Sequence, residues 1–269
     1  MGLLAGVALT AGAGAGTARA AVTRGGEDTP RSSEIEITGA PSLVTGSWSG
    51  YVTTQGPFYG ASADFTVPGA TCPSDDTEDS ATNFWVGIQG TDPVTGQQDI
   101  AQTGFVVLCN QGQPQYYGTH ADLSGNYSLT PQLGQPSLIA QPMAPGDQVS
   151  ASVVCLFGIC VQTVQDLTQN WSDDLVLPVP QGFSGWIAAI AGESSCCTGG
   201  VNTGPVQVTG AMVNGTPIGQ LNPQADEQCL ANYNGTAGLD PTALDPTGTI
   251  FDFYWNGTTF AGTPRSVSC

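Results

Sequence analysis

Gln102, at the centre of "IAQTG" (Ile100 to Gly104), is the residue whose chemistry is worth asking about first. Its side-chain amide does not titrate near neutral pH. It can still donate an N–H at any acidity, and a preorganised neutral donor stabilises negative charge developing on an oxygen. The other reactive types are few. Lysine is absent, and the single histidine, His120, sits in "YYGTHADL" with no G-x-S-x-G elbow anywhere in the chain, so it reads as a surface or hydrogen-bonded histidine at a strand end and not as a general base. No Gly-x-Gly-x-x-Gly or P-loop joins a strand to a helix. Carboxylates, amides and ordered water remain. Paired carboxylates would suit acid hydrolysis, yet neither Asp-Thr-Gly nor Asp-Ser-Gly occurs in two copies, and no close acidic pair on a good strand supports glycoside cleavage. What does occur is Gln-Thr-Gly at 102 to 104.

Charge narrows the setting. Four arginines, no lysine and 22 carboxylates give a formal net charge of −18 over 269 residues, and Ser32 to Pro264 holds neither Arg nor Lys. Such a surface repels nucleic acid and anionic membranes, so neither is expected as a partner. In acid the carboxylates neutralise and little positive charge is left to repel, which suits a protein working at low pH; general solubility of a secreted protein explains the same charge equally well.

The apolar run "LLAGVALTAGAGAG", ending at Ala18-Arg19-Ala20, predicts a signal peptide over residues 1–20 and a secreted, extracellular product. Residues 21–46, rich in Ser, Thr, Gly and charge, read as a linker or propeptide remnant, and 47–269 as one domain. Export makes the eight cysteines disulfide candidates. Cys155 with Cys160 would close a hairpin across "LFGI", and Cys72 with Cys109 is a second plausible pair; the adjacent Cys196 and Cys197 are expected to bond elsewhere. One histidine and no C-x-x-C pair disfavour zinc, so no metal or cofactor is expected.

The elements that must carry these residues are strands. "SGYVTT", "ASADFTV", "NFWVGI", "GFVVLC", "DQVSASVVCL", "CVQTVQDLT", "SGWIAAIA", "VQVTGAMV" and "TIFDFYW" alternate or are β-branched between turn signals, and no 3.6-residue period is sustained. The 37 glycines and 19 prolines fit a turn-rich chain. The prediction is an all-β sandwich of two antiparallel sheets. "DQVSASVVCLFGICVQTVQDLT" is the clearest hairpin, with Phe157-Gly158 at its tip. Asn-Gly at 214, 234 and 256, each followed by Thr, is both a tight-turn signal and a glycosylation sequon; the turn is the favoured reading.

In this order and spacing, "SWSGYV" (47–52), "FTVP" (65–68), "WVGIQG" (85–90), "IAQTG" (100–104), "QYYGTH" (115–120), "GDQVSASV" (146–153), "SGWIA" (184–188) and "VNGTPIGQLNP" (213–223) resemble the glutamic peptidases, or eqolisins. The resemblance implies a concanavalin-like, disulfide-bonded sandwich of two large bent sheets. It also implies a cleft for a polypeptide, and acid endopeptidase chemistry in which a glutamate activates water while a glutamine amide stabilises the oxyanion. Gln102 matches that glutamine, and Trp48, Trp85 and Gln89 match residues lining the cleft; Trp186 reads as core.

The chain departs from the pattern at the base. By this alignment the catalytic glutamate precedes the tryptophan, so Gly185 takes its place. Asp122 is the first substitute and Asp99 the third. Glu193, eight residues past Gly185, shares its parity but stands about 26 Å away along a continuous strand. Two functions follow: an acid endopeptidase with a relocated base, or a noncatalytic homologue that binds peptide or glycan. Either is expected to be a monomer.

Overall fold

The structure is a computed structural model that describes residues 48–54, 56–72, 81–94, 96, 98–122, 137–179, 183–194, 201–226 and 239–255. The signal-peptide and linker segments, Cys196, Cys197, Cys229, Cys269 and the Asn-Gly pairs at 234 and 256 lie outside the described residues. In chain order the strands are β1 (Trp48–Thr53), β2 (Gly60–Thr66), β3 (Ala70–Thr71), β4 (Ala81–Thr91), β5 (Gln98–Asn110), β6 (Gln113–Asp122), β7 (Ser137–Ile139), β8 (Gln148–Leu156) and β9 (Ile159–Asp166). They continue as β10 (Trp171–Pro178), β11 (Ser184–Ser194), β12 (Asn202–Thr203), β13 (Val206–Val213), β14 (Thr216–Pro217), β15 (Gln224–Asp226), β16 (Leu239–Pro241) and β17 (Phe251–Trp255), with one 3-10 turn at Ile218–Leu221.

Two large antiparallel sheets result, as the alternation predicts. The first runs β15-β1-β11-β4-β5-β6-β7, and the second runs β10-β9-β8-β2-β13-β17-β16, with β14 on β13. The β8–β9 hairpin turns on Phe157-Gly158, both at positive φ (54° and 83°), as a two-residue turn of this kind requires. Cys155 and Cys160 face each other in its register and are bonded; Cys72 is bonded to Cys109 at the end of β5. Asn214-Gly215 makes a second positive-φ turn (51° and 74°) between β13 and β14. The Asn214 side chain accepts from the Tyr59 and Gly60 N–H groups (2.9 and 3.0 Å) and donates to the Pro57 carbonyl (3.0 Å), so the turn reading of that sequon holds.

Phe84, Val86 and Ile88 of β4, Phe105 and Val107 of β5 and Ile190 of β11 pack inward against Phe65, Val149, Val208 and Phe253 of the second sheet. Phe105 bridges the layers, with its ring 5.9 Å from Phe65 and 5.1 Å from Phe84. The other face of the first sheet is also covered: Val52, Trp85, Ile187, Ala189 and Ala191 form a separate buried cluster with Trp186 packed against it. Burial on both faces explains why β11 reads as a nearly unbroken apolar run where a half-exposed strand would alternate. Truncating the fully buried Phe105 to Ala should cost about 3–5 kcal/mol, read as a lower urea midpoint with an unchanged slope.

Candidate functional site

Directly opposed residues on antiparallel strands share a face, so the register defines what stands beside Gln102. One row runs Ala121 (β6), Gln102 (β5), Gly87 (β4), Ala189 (β11) and Val52 (β1). The next row holds Gly104, Trp85, Ala191 and Gly50, and the row on the other side holds Ile100, Gln89 and Ile187. Gln102 is half-buried in a floor whose members Trp85, Gln89, Ile187 and Ala189 are almost fully buried.

Gly87 makes this packing possible. A Cβ there would lie 3.0 Å from the Trp85 ring and 3.1 Å from the Gln102 Cβ. The indole therefore lies across the bare backbone of β4 and meets Gln102 over it. The Trp85 Nε1–H is buried and has no acceptor among the described residues.

Behind this face the same strands are pinned to the second sheet. Thr103 points inward, its Oγ1 2.9 Å from His120 Nδ1 and 2.9 Å from the Thr119 carbonyl. His120 Nε2 reaches Asp173 Oδ2 on β10 at 3.4 Å, a loose ion-pair distance. Gln162 Nε2 of β9 donates to the carbonyl of Ala121, the neighbour of Gln102 (2.9 Å). His120 is thus a buried structural bridge. Burial lowers its pKa below 6.5, and the Asp173 and Asp174 carboxylates only partly offset this. A lowered imidazole pKa favours the folded state above 6.5, and that contribution is lost as the pH falls below it.

The structure does not bring Gly185 to Gln102. Gly185 pairs with Gly90, and the register shifts between Gly185 and Ile187, so Trp186 is the extra residue of a bulge. Ahead of the bulge, a Cβ on Gly185 would run into Ile88 and the Phe58 carbonyl, towards the interior. The position facing Gln102 across Gly87 is Ala189, which the sequence reading passed over. The shared parity of Gly185 and Glu193 is corrected as well, because the bulge puts Glu193 on the Ala189 face while Gly185 stays inside. Glu193 pairs with Trp48 and Asn83, four residues beyond Ala189 and about 13 Å along the strand. Asp122 pairs with Ala101, one step out of the Gln102 row, and Asp99 pairs with Gly90, three steps out, so neither shares the Gln102 face. Of the expected site residues, Trp85 and Gln89 lie in rows adjoining Gln102, and Trp48 does not.

The sequence model of the peptidase A4 family matches residues 46–181, a little over half of the chain, and the chain belongs to that family. Among solved structures, scytalido-glutamic peptidase with a transition state analog inhibitor is 18% identical with a TM-score of 0.57, the match covering 78% of this chain and 98% of that one. SCP-B, an eqolisin-family peptidase in complex with the tripeptide Ala-Ile-His, is 18% identical with a TM-score of 0.56 over the same shares. No curated protein matches the chain. Family and fold support a peptidase-type function. The family match ends at residue 181, just before β11 begins at Ser184.

Placing a carboxylate at 185 would bury it in the interior. Gly185→Glu should therefore destabilise the fold by about 3–5 kcal/mol, seen as a fall in the thermal midpoint, and should confer no hydrolysis.

Proposed function

We propose that the chain is a secreted, peptide-binding member of the family that has kept the amide half of the catalytic pair and lost the base. An extended polypeptide lies over Trp85, and the Gln102 amide donates to one of its carbonyl oxygens. The observation that carries this reading is the row Ala121, Gln102, Gly87, Ala189 and Val52, which holds no carboxylate. A general base must stand within hydrogen-bond reach of its water, directly or through one more; without it the bound carbonyl is polarised and no water is activated. The disulfides and the excess of carboxylates support export and an acidic setting.

A second reading, acid endopeptidase activity with a relocated base, is favoured by family membership and by Glu193 on the same face of the sheet. It needs the Glu193 carboxylate to act over two strands and about 13 Å of β11.

The two readings separate in one assay. Wild-type protein should leave denatured substrate uncut at about pH 2–4, the range in which carboxylate-driven hydrolysis runs. Ala189→Glu should gain cleavage, and adding Gln102→Ala to that variant should lower it by roughly a hundredfold or more, the usual cost of one oxyanion donor. Wild-type cleavage that disappears with Gln102→Ala would overturn the proposal.

A further inference from the structure

Away from Gln102, at the base of the β8–β9 hairpin, two aspartates are buried together. Asp147 is 4% exposed and Asp166 is 1% exposed. One residue touches both: Gln169 donates its backbone N–H to Asp166 Oδ1 (2.8 Å) and its side-chain Nε2–H to both oxygens of Asp147 (3.1 Å each). The Thr168 N–H adds a bond to Asp166 Oδ1 (2.9 Å), and the Ala144 N–H adds one to Asp147 Oδ2 (2.8 Å). Asp166 Oδ2 is buried and receives no donor among the described residues. Asp166 stands in register between Val149 and Trp171, and no Arg or Lys exists between Ser32 and Pro264 to compensate two negative charges.

We propose that Asp147 and Asp166 share a single proton, forming a carboxyl–carboxylate lock that fastens the base of the hairpin in acid and loosens as the pH rises. Two adjacent carboxylates in a site with no cation cannot both ionise at modest cost. With Asp166 protonated, its Oδ2–H is a donor for Asp147 Oδ1, the Asp147 oxygen with only one other donor, and the unpartnered buried oxygen is satisfied. Leu167 N–H to the Gln148 carbonyl (2.8 Å) and Gln148 N–H to Thr168 Oγ1 (2.9 Å) join the two ends of the hairpin beside the lock, and Val67 N–H, just past β2, donates to the Asp147 carbonyl (2.9 Å).

The titration points the same way. Burial pushes the Asp166 carboxyl above its ordinary 3.8, the Gln169 and Thr168 amides pull it down, and Asp147, the only charged group acting on it, raises it further. A carboxyl with a raised pKa binds its proton more tightly in the folded state than in the unfolded chain. Its stabilisation is complete below 3.8 and is lost as the pH climbs through the raised value. This is opposite in sign to the His120 contribution and to ordinary acid denaturation.

The test is a 13Cγ NMR titration of aspartate-labelled wild-type protein, freed of metal, with Asp147→Asn and Asp166→Asn used for assignment. One carboxyl of the pair should keep its proton to a higher pH than the exposed aspartates of the same protein. In urea, the wild-type midpoint should fall as the pH rises from 3.8 through the raised Asp166 value, and Asp166→Asn should flatten that fall while a charge-matched control at half-exposed Asp64, Asp64→Asn, keeps it. A pair whose two carboxyls ionise together with the exposed aspartates would overturn the proposal, as would a midpoint that calcium raises and chelator lowers, which would make the pair a cation site. The wild-type titration decides the matter even if neither variant folds.

Discussion

The hydrogen-bond register of β11 on β4 decides what this protein can do with Gln102. Ten residue pairs set that register, and a single bulge at Trp186 divides them. Before the bulge the strand turns Gly185 to the interior; after it, Ile187, Ala189, Ala191 and Glu193 turn to the site face. Because side chains alternate with a period of two, the one inserted residue exchanges the faces of everything that follows. The residue facing Gln102 is Ala189, and the nearest carboxylate on that face of β11 is two pleats farther on.

The second constraint is the lack of cations. With no Lys or Arg in the described residues, the sheets are joined by aromatic packing around Phe65, Phe84, Phe105 and Phe253, and by neutral hydrogen bonds such as Gln162 to Ala121. Buried titratable groups then have to be satisfied by protons or by the backbone. His120, held neutral by burial, disfavours acid, whereas the carboxyl pair at Asp147 and Asp166 favours it. The acidic composition therefore marks local chemistry as well as a charged surface.

Much of the architecture was legible in the sequence because it rests on short-range signals. Alternating β-branched runs gave the strands, Phe157-Gly158 and Asn214-Gly215 gave two turns, and cysteine spacing gave both observed disulfides. Gln102 was also legible, because the motif around it is local. The base position was not, since a bulge in β11 is fixed by the fit of Phe58 and Ile88 around Gly185 and leaves no mark on β11 alone. Burial of His120 was hidden for a related reason: its partner Asp173 lies 53 positions away, on an edge strand of the other sheet. Ala189 looked like one small residue among several in "WIAAIAG", and only its register with Gly87 singles it out.

The central proposal is that the floor beside Gln102 binds a peptide carbonyl and that its row, among the described residues, carries no carboxylate to activate water against it. It is tested most directly by titrating an extended apolar peptide into wild-type protein at about pH 3, where a carboxylate-based site would be active. The Gln102 side-chain amide resonance and the peptide mass are followed together over days. Saturable movement of the amide signal with the peptide intact is the expected result. Peptide fragments accumulating in proportion to occupancy, or a peptide that binds without moving the Gln102 amide, would contradict it.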